Sequence, residues 1–296
     1  MSTGLARTMA CGIVAVALAA TGCGKKGGGA PEGPPDGYKS PYVGAPDVPA
    51  AGTPAAEPAK APEAAPAAAA PEPAKARTHP AAAERPYPLL TADELAKDAD
   101  EKEIFTFLAD PKQGGKALER MKKDKKKGAE LGRRALLCSQ RETRLQAALI
   151  LGNLEDSSKE TIKALSDAVL LDPDGDARAL AAKAFIKIRK PEVIPVLIRS
   201  LKEDPFEPAR ANAAWALGDI GGAQALQPLR DALKDPDTWV RLRAVSGLKR
   251  LKAKAAVPDL IEHLADTNQM VRERAREALK DITGQDKGED PAAWKR

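Results

Sequence analysis

Residues 194–220 read IPVLIRSLKEDPFEPARANAAWALGDI, and this stretch holds one complete copy of the pattern that decides the fold. Before Asp204, apolar residues recur three to four positions apart, which predicts an amphipathic helix. The Asp204-Pro205 step ends that helix, because a residue that precedes proline is disfavoured in helical conformation. A second run starts at Arg210 and places Ala213, Leu217 and Ile220 on one helical face. The stretch therefore predicts two helices joined by a tight turn.

The same unit recurs along the chain at intervals of 31 to 34 residues. The alignment rests on five arginines, which are Arg144, Arg178, Arg210, Arg241 and Arg272. An alanine follows each of them by three positions, at Ala147, Ala181, Ala213, Ala244 and Ala275. An aspartate precedes the last four by six positions, at Asp172, Asp204, Asp235 and Asp266, and Cys138 takes this place in the first unit. A fixed period of this length is typical of a solenoid of stacked helix pairs.

The pattern Pro-x-Leu…Leu-x-Asp-Pro-x-x-x-x-Arg-x-x-Ala-x-x-x-Leu-Gly resembles the HEAT-type repeats that are also found in phycobilisome lyases. Its best copy is the stretch from Ile194 to Ile220. The resemblance implies an all-α protein, a right-handed α-solenoid of about five to six helix pairs. It also implies that the second helix of each pair lines a concave binding face. We expect the recurring aspartates and arginines to bond across neighbouring repeats, because buried turns need such donors and acceptors.

The sequence predicts five segments. Residues 1–22 form a lipoprotein signal peptide, and residues 23–88 contain a lipidated cysteine and a disordered Pro/Ala-rich spacer. Residues 89–127 form an N-terminal helical cap, in which Thr91 and Glu94 match a capping box that starts a helix through about Leu108. Residues 128–282 hold the five repeats. Residues 283–296 form a C-terminal capping segment, in which Trp294 covers the last helix pair.

The N-terminus indicates export. Arg7 precedes the apolar run Met9–Ala20, which is shorter than the roughly 20 residues of a membrane-spanning helix and is typical of a signal peptide. Ala20-Thr21-Gly22-Cys23 resembles a bacterial lipobox, although Ala20 stands where that family most often has leucine. The resemblance implies that Cys23 is acylated. Gly24 then favours the outer membrane of the cell envelope; a plain secretory signal is the alternative.

Few residues suit catalysis. The chain has two histidines, His79 and His263, and three cysteines, of which Cys138 alone is neither in the signal peptide nor predicted to be acylated. A net charge of +5 is too small for a dedicated nucleic-acid binder. The sequence therefore predicts that the protein is not an enzyme and that it has no metal site, no cofactor and no nucleic-acid partner.

Candidate binding residues lie on the second helices, on the face opposite the repeated alanines. Trp215 is a large aromatic residue at a position that a lone helix would expose, and tryptophan and arginine dominate binding hot spots. Packing of Trp215 on a neighbouring repeat is the equal alternative. The predicted partner-binding set is Trp215, Asn212, Lys183, Arg243, Lys187, Arg250 and Arg274.

One dense basic cluster stands apart from that face. It consists of Lys122, Lys123, Lys125, Lys126 and Lys127. A solvated helix end is the simplest explanation. Contact with anionic lipid or with an acidic partner is the functional alternative.

These features favour a lipid-anchored, monomeric scaffold of the cell envelope that binds a partner protein on its concave face. Two alternatives stay open. One is a bilin-lyase-like enzyme or chaperone-type transferase that shares the repeat. The other is an adaptor that uses the lysine cluster at the membrane surface or the cell wall.

Overall fold

The computed structural model describes residues 87–295. The signal peptide, Cys23, His79 and nearly all of the predicted spacer lie outside the described residues. Within them the structure is helical, and the only β-type pairing is a single bridge between Leu90 and Cys138.

The N-terminal part contains four helices. They are α1 (Ala92–Leu95), α2 (Ala99–Ala109), α3 (Gly114–Lys123) and α4 (Lys125–Ala135). The central part contains α5 (Arg141–Leu154), α6 (Lys159–Leu171), α7 (Gly175–Ile188), α8 (Ile194–Glu203) and α9 (Glu207–Ile220). The C-terminal part contains α10 (Ala223–Ala232), α11 (Thr238–Arg250), α12 (Val257–Glu262), α13 (Gln269–Thr283) and α14 (Pro291–Lys295). Short 3₁₀ turns lie at Pro191–Val193, Lys254–Ala256 and His263–Ala265.

The helices α4 to α13 form five antiparallel pairs that stack in chain order. The even-numbered helix of each pair packs on the preceding even-numbered helix along most of the stack, and each odd-numbered helix packs on the next odd-numbered one. Two parallel layers of helices therefore run along the protein, as the repeat period predicts. The all-α solenoid is confirmed, and it begins with the pair α2–α3, which packs on α4 and α5.

Small residues let the odd-numbered helices approach closely. Gly218 on α9 lies against the backbone of Gly247 on α11, so closely that a β-carbon at residue 218 would overlap it. The repeated alanines, among them Ala213 and Ala244, are fully buried at the same contacts. Behind them Phe185 fills the space between the two layers. Close packing of this kind fixes the spacing of the layer that carries the candidate binding residues.

Between the helix pairs runs a ladder of ion pairs, and the expected bonds across repeats are confirmed. Arg210 donates from Nε and Nη2 to the two carboxylate oxygens of Asp235 in the next turn, each at 2.9 Å. Its Nη1 donates to the carbonyl of Asp204 in its own turn at 3.0 Å. Four pairs share this bidentate arrangement, namely Arg144–Asp172, Arg178–Asp204, Arg210–Asp235 and Arg241–Asp266. We call them the arginine–aspartate ladder.

The first turn lacks the ladder aspartate, and it is bonded instead to the segment before α1. Cys138 is buried in that turn, and Leu90 pairs with the backbone on both sides of it. The Leu90 amide donates to the Leu137 carbonyl at 2.8 Å, and the Ser139 amide donates to the Leu90 carbonyl at 2.7 Å. Two backbone groups beside the buried cysteine thus find hydrogen-bond partners in the residues before α1.

The two ends of the solenoid differ in detail from the sequence prediction. The predicted helix from Thr91 to Leu108 is broken, because Asp98 caps a new helix by accepting from the Glu101 amide at 2.9 Å. The capping box itself forms at Thr91. At the other end, Trp294 is buried and its indole donates to the Gly288 carbonyl at 2.9 Å.

Across residues 87–295, none of the helices is long and apolar enough to cross a membrane.

The ladder generates a prediction about stability. Replacing Arg210 by methionine removes the guanidinium that pairs with the buried carboxylate of Asp235, so the free energy of unfolding should fall by about 3–5 kcal/mol. The matched control is Arg199→Met, which removes an exposed i,i+4 pair with Glu203 and should cost less than ~1 kcal/mol. Urea unfolding followed by circular dichroism measures both values. Equal values for the two variants would contradict the role given to the ladder.

Candidate functional site

A groove of about 730 Å³ runs along the odd-numbered layer, across α5, α7 and α9. Its apolar floor includes Leu149, Leu180, Ala184 and Ile186, and its polar rim includes Lys183, Lys187, Arg189 and Asp219. Trp215 closes one side. We call this the concave groove.

The indole of Trp215 carries a buried cation on its ring. The guanidinium carbon of Arg243 lies 4.0 Å from the ring centroid, which is within the range of a cation–π contact. Trp215 itself is half-buried and packs against the core as well as lining the groove. Its Nε1–H is buried and has no acceptor among the described residues. Trp215 therefore packs on the core and also lines the groove, while its Nε1 atom is shielded from solvent; its role in binding a partner stays a prediction.

Several positively charged side chains lie close together beside Trp215. Burial lowers the pKa of Lys183, and the neighbouring Arg243 and Lys187 lower it further. Burial, followed by repulsion from Arg274, lowers the pKa of Arg243 to about 10. Neither Lys183 nor Lys187 forms an ion pair with a described carboxylate. Lys183 and Lys187 therefore place positive charge at the groove, whose lining also includes the carboxylates of Glu155 and Asp219.

Two other predicted residues are engaged in ion pairs and are not among the residues that line the groove. Arg250 pairs with Asp219, which Arg189 also approaches at 3.7 Å. Arg274 pairs with Glu277 at 3.2 Å.

Asn212 corrects the sequence prediction. Its side chain is fully buried, and its Nδ2 donates to the Ala179 carbonyl on α7 at 2.9 Å. It therefore ties α9 to α7 and does not line the groove. The prediction failed because each odd-numbered helix is covered by neighbours on both sides, which leaves a narrower exposed face than a helical wheel indicates.

The predicted lysine cluster lies at the junction of α3 and α4, on exposed side chains. Lys122 pairs with Glu119 at 3.0 Å and Lys127 approaches Asp98 at 3.9 Å. Its contact with lipid or with an acidic partner stays a prediction.

Arg189 was missed by the sequence analysis, although it lines the groove. It lies just beyond α7 in a left-handed conformation, with φ 52°. The sequence analysis considered only positions within the second helix of each pair, and Arg189 follows the end of α7. A positive residue directly after the last apolar position of a second helix was the available signal.

The concave groove combines the ring of Trp215 and an apolar floor with charged side chains of both signs, which are Lys183, Lys187, Arg189, Glu155 and Asp219. Its volume falls within the roughly 300–1,000 Å³ of ligand-binding pockets.

Among curated proteins, the chain resembles subunits of bacterial lyases. It is 37% identical over 100 residues to the phycocyanobilin lyase subunit alpha of Picosynechococcus sp., a match that covers 31% of this chain and 37% of the relative. It is also 37% identical over 84 residues to the protein of that name from Synechococcus elongatus, covering 26% of this chain and 31% of the relative. The chain thus spans about a third of the length of these relatives.

Solved structures with similar helical architecture include a complex of CpcE and CpcF of phycocyanin lyase from Nostoc sp. That chain shares 23% identity with a TM-score of 0.49, over 53% of this chain and 65% of its own. A designed armadillo repeat protein in complex with a (KR)4 peptide shares 18% identity with a TM-score of 0.45, over 64% of this chain and 97% of its own.

The sequence-based prediction that the chain is not an enzyme is wrong in light of these relatives. Three of the curated proteins that it matches are named as phycocyanobilin lyase subunits, and this contradicts the prediction. The prediction relied on the scarcity of histidine, which argues only against chemistry that needs imidazole.

The family model for HEAT repeats matches residues 132–211 and 194–280, so the matches together span about half of the chain. They coincide with the five stacked helix pairs and with the arginine–aspartate ladder. This chain belongs to the HEAT-repeat family.

Proposed function

We propose that this chain is a lyase-type HEAT-repeat subunit that holds a conjugated, carboxylate-bearing ligand in the concave groove and presents it to a partner protein. The observation that carries the proposal is the Trp215–Arg243 pair, with its 4.0 Å separation, beside the unpaired ammonium of Lys183. The names of the curated relatives suggest the ligand class, an open-chain tetrapyrrole.

Different residues of the groove would bind different parts of the ligand. The ring of Trp215 would hold and orient a flat conjugated system. Lys183 and Lys187 would bind carboxylates, and charge-assisted hydrogen bonds of this kind are stronger than neutral ones. Because the pKa of Lys183 is lowered, its ammonium is also the group in the groove best suited to give up a proton.

Binding of phycocyanobilin to the purified full-length chain tests this proposal. Absorbance and fluorescence titration should show saturable binding that Trp215→Ala and Lys183→Gln each weaken about tenfold or more, which corresponds to about 1.4 kcal/mol. Binding should also weaken as the pH rises through the lowered pKa of Lys183, since the neutral amine attracts no carboxylate. The matched control is Lys202→Gln, an exposed lysine on α8, which should leave binding unchanged.

Absence of saturable binding, or equal losses in Lys183→Gln and Lys202→Gln, would contradict a ligand of this class in the groove. A partner protein that docks directly on Trp215 would then be the remaining use of the concave face.

A location in the cell envelope is the second part of the proposal, and it rests on the sequence. The apolar run before Cys23 and the Pro/Ala-rich residues after it favour a lipid anchor followed by a spacer. Such an anchor would keep the solenoid near the membrane and raise its local concentration for a partner. The lysine cluster would add an attraction to anionic lipid headgroups.

Metabolic labelling with palmitate tests the anchor. The chain expressed in a bacterial host should incorporate label and sediment with membranes, and Cys23→Ser should abolish both. Cys11→Ser is the matched control, because it changes a cysteine inside the apolar run and should leave the labelling intact. Label that persists in Cys23→Ser, or an unlabelled parent chain, would refute acylation at this residue.

A further inference from the structure

The arginine–aspartate ladder stops at Arg272 with half of its bonds made. The Arg272 Nη1 donates to the carbonyls of Asp266 and Thr267 at 2.9 and 3.2 Å, as each ladder arginine does in its own turn. In the four complete pairs, Nε and Nη2 then donate to the aspartate of the following turn. For Arg272, no carboxylate among residues 87–295 lies within ion-pair distance. Its guanidinium is partly exposed, beside the exposed side chain of Met270.

At the opposite end of the solenoid, the turn between α2 and α3 contains an aspartate that resembles those of the ladder. Asp110-Pro111, between α2 and α3, repeats the Asp-Pro step of the ladder turns. Asp110 Oδ1 accepts from the Lys112 amide at 2.9 Å, the same bond that Asp204 makes with the amide two residues further on, also at 2.9 Å. The other oxygen accepts from Gln113 Nε2 at 2.8 Å. Asp110 forms no ion pair with any of the described cations.

The turn at Asp110 also lies at the same edge of the fold as the turns of the arginine–aspartate ladder. Gly114, at the start of α3, packs against the side chain of Gln146 in the first half of α5. The turn at Asp110 is therefore near the N-terminal end of α5, where the other turns of the ladder meet their odd-numbered helices. Among residues 87–295, no ladder arginine precedes Asp110, and no ladder aspartate follows Arg272.

We propose that these two ends bind each other, so that Arg272 of one copy pairs with Asp110 of a second copy and continues the ladder from head to tail. The surrounding charges are complementary, because exposed Lys112 and Lys116 flank Asp110 and exposed Glu273 flanks Arg272. The contact would also cover Met270. An interface of this kind joins two different surfaces, so association can continue beyond a dimer. It departs from the monomer that the sequence predicts, and it does not depend on the ligand of the concave groove.

Sedimentation equilibrium over a range of protein concentrations tests the proposal. The sample is the full-length chain carrying Cys23→Ser, which keeps it unacylated. Its average mass should rise above that of a dimer as concentration increases, and added salt should reverse the rise. Asp110→Ala and Arg272→Ala should each remain monomeric at the same concentrations. Arg199→Ala, which changes an exposed arginine on α8, should associate like the parent chain.

Mixing the two variants gives the decisive result. Asp110→Ala keeps a functional Arg272, and Arg272→Ala keeps a functional Asp110, so an equimolar mixture should form dimers and nothing larger. The double exchange Asp110→Arg with Arg272→Asp should restore growth beyond a dimer, which shows that the single variants did not fail by misfolding. The inference is overturned if the parent chain stays monomeric, if the single variants associate like the parent, or if the mixture gives no dimer.

Discussion

A buried arginine and a buried aspartate join most neighbouring repeats of this protein, and the geometry of the other contacts depends on this bond. Each guanidinium binds two carbonyls of its own turn and both oxygens of the next aspartate, so it specifies where the next helix pair begins. Such a pair stabilises little by itself, because both charges lose their hydration, but it is costly to break. Apolar contacts between alanine-rich helices could slide, whereas a bidentate ion pair fixes their register.

The concave groove follows from this register. The ladder and the contact of Gly218 with Gly247 hold the odd-numbered helices close together, which brings side chains of separate repeats into one cluster. Arg243 reaches Trp215 from the next repeat, and Lys183 approaches from the preceding one. Burial lowers the pKa values of Lys183 and Arg243, and repulsion from neighbouring cations lowers both of them further.

Much of the fold could be predicted from the sequence, because a repeated residue at a repeated position reports the same local environment. The spacing of arginine and alanine predicted the helix pairs, and the aspartates predicted bonds across repeats. The site was predicted less well. Asn212 is buried because the exposure of a residue in a stack depends on the helices that pack on both sides of its own helix. Arg189 lies just beyond the end of the helix whose positions the sequence analysis considered. The bridge from Leu90 to the turn at Cys138 joins residues far apart in sequence, and no local pattern indicates it.

Function was the least predictable level. Scarce histidine argued against an enzyme, yet the relatives that share the repeat are named lyase subunits. In a solenoid the chemistry depends on which side chains several repeats bring together, and those distances are set by the stacking rather than by any one motif.

Hydrogen–deuterium exchange of an Asp204→Asn variant tests most directly whether the ladder holds the groove in place. In a stack of this type each repeat is stabilised by its neighbours. Amides of α7 and α9 around Lys183 and Trp215 should therefore exchange faster than in the parent chain by similar factors, while α13 should stay unchanged. Faster exchange confined to the turn at Asp204, with α7 and α9 protected as before, would contradict the account.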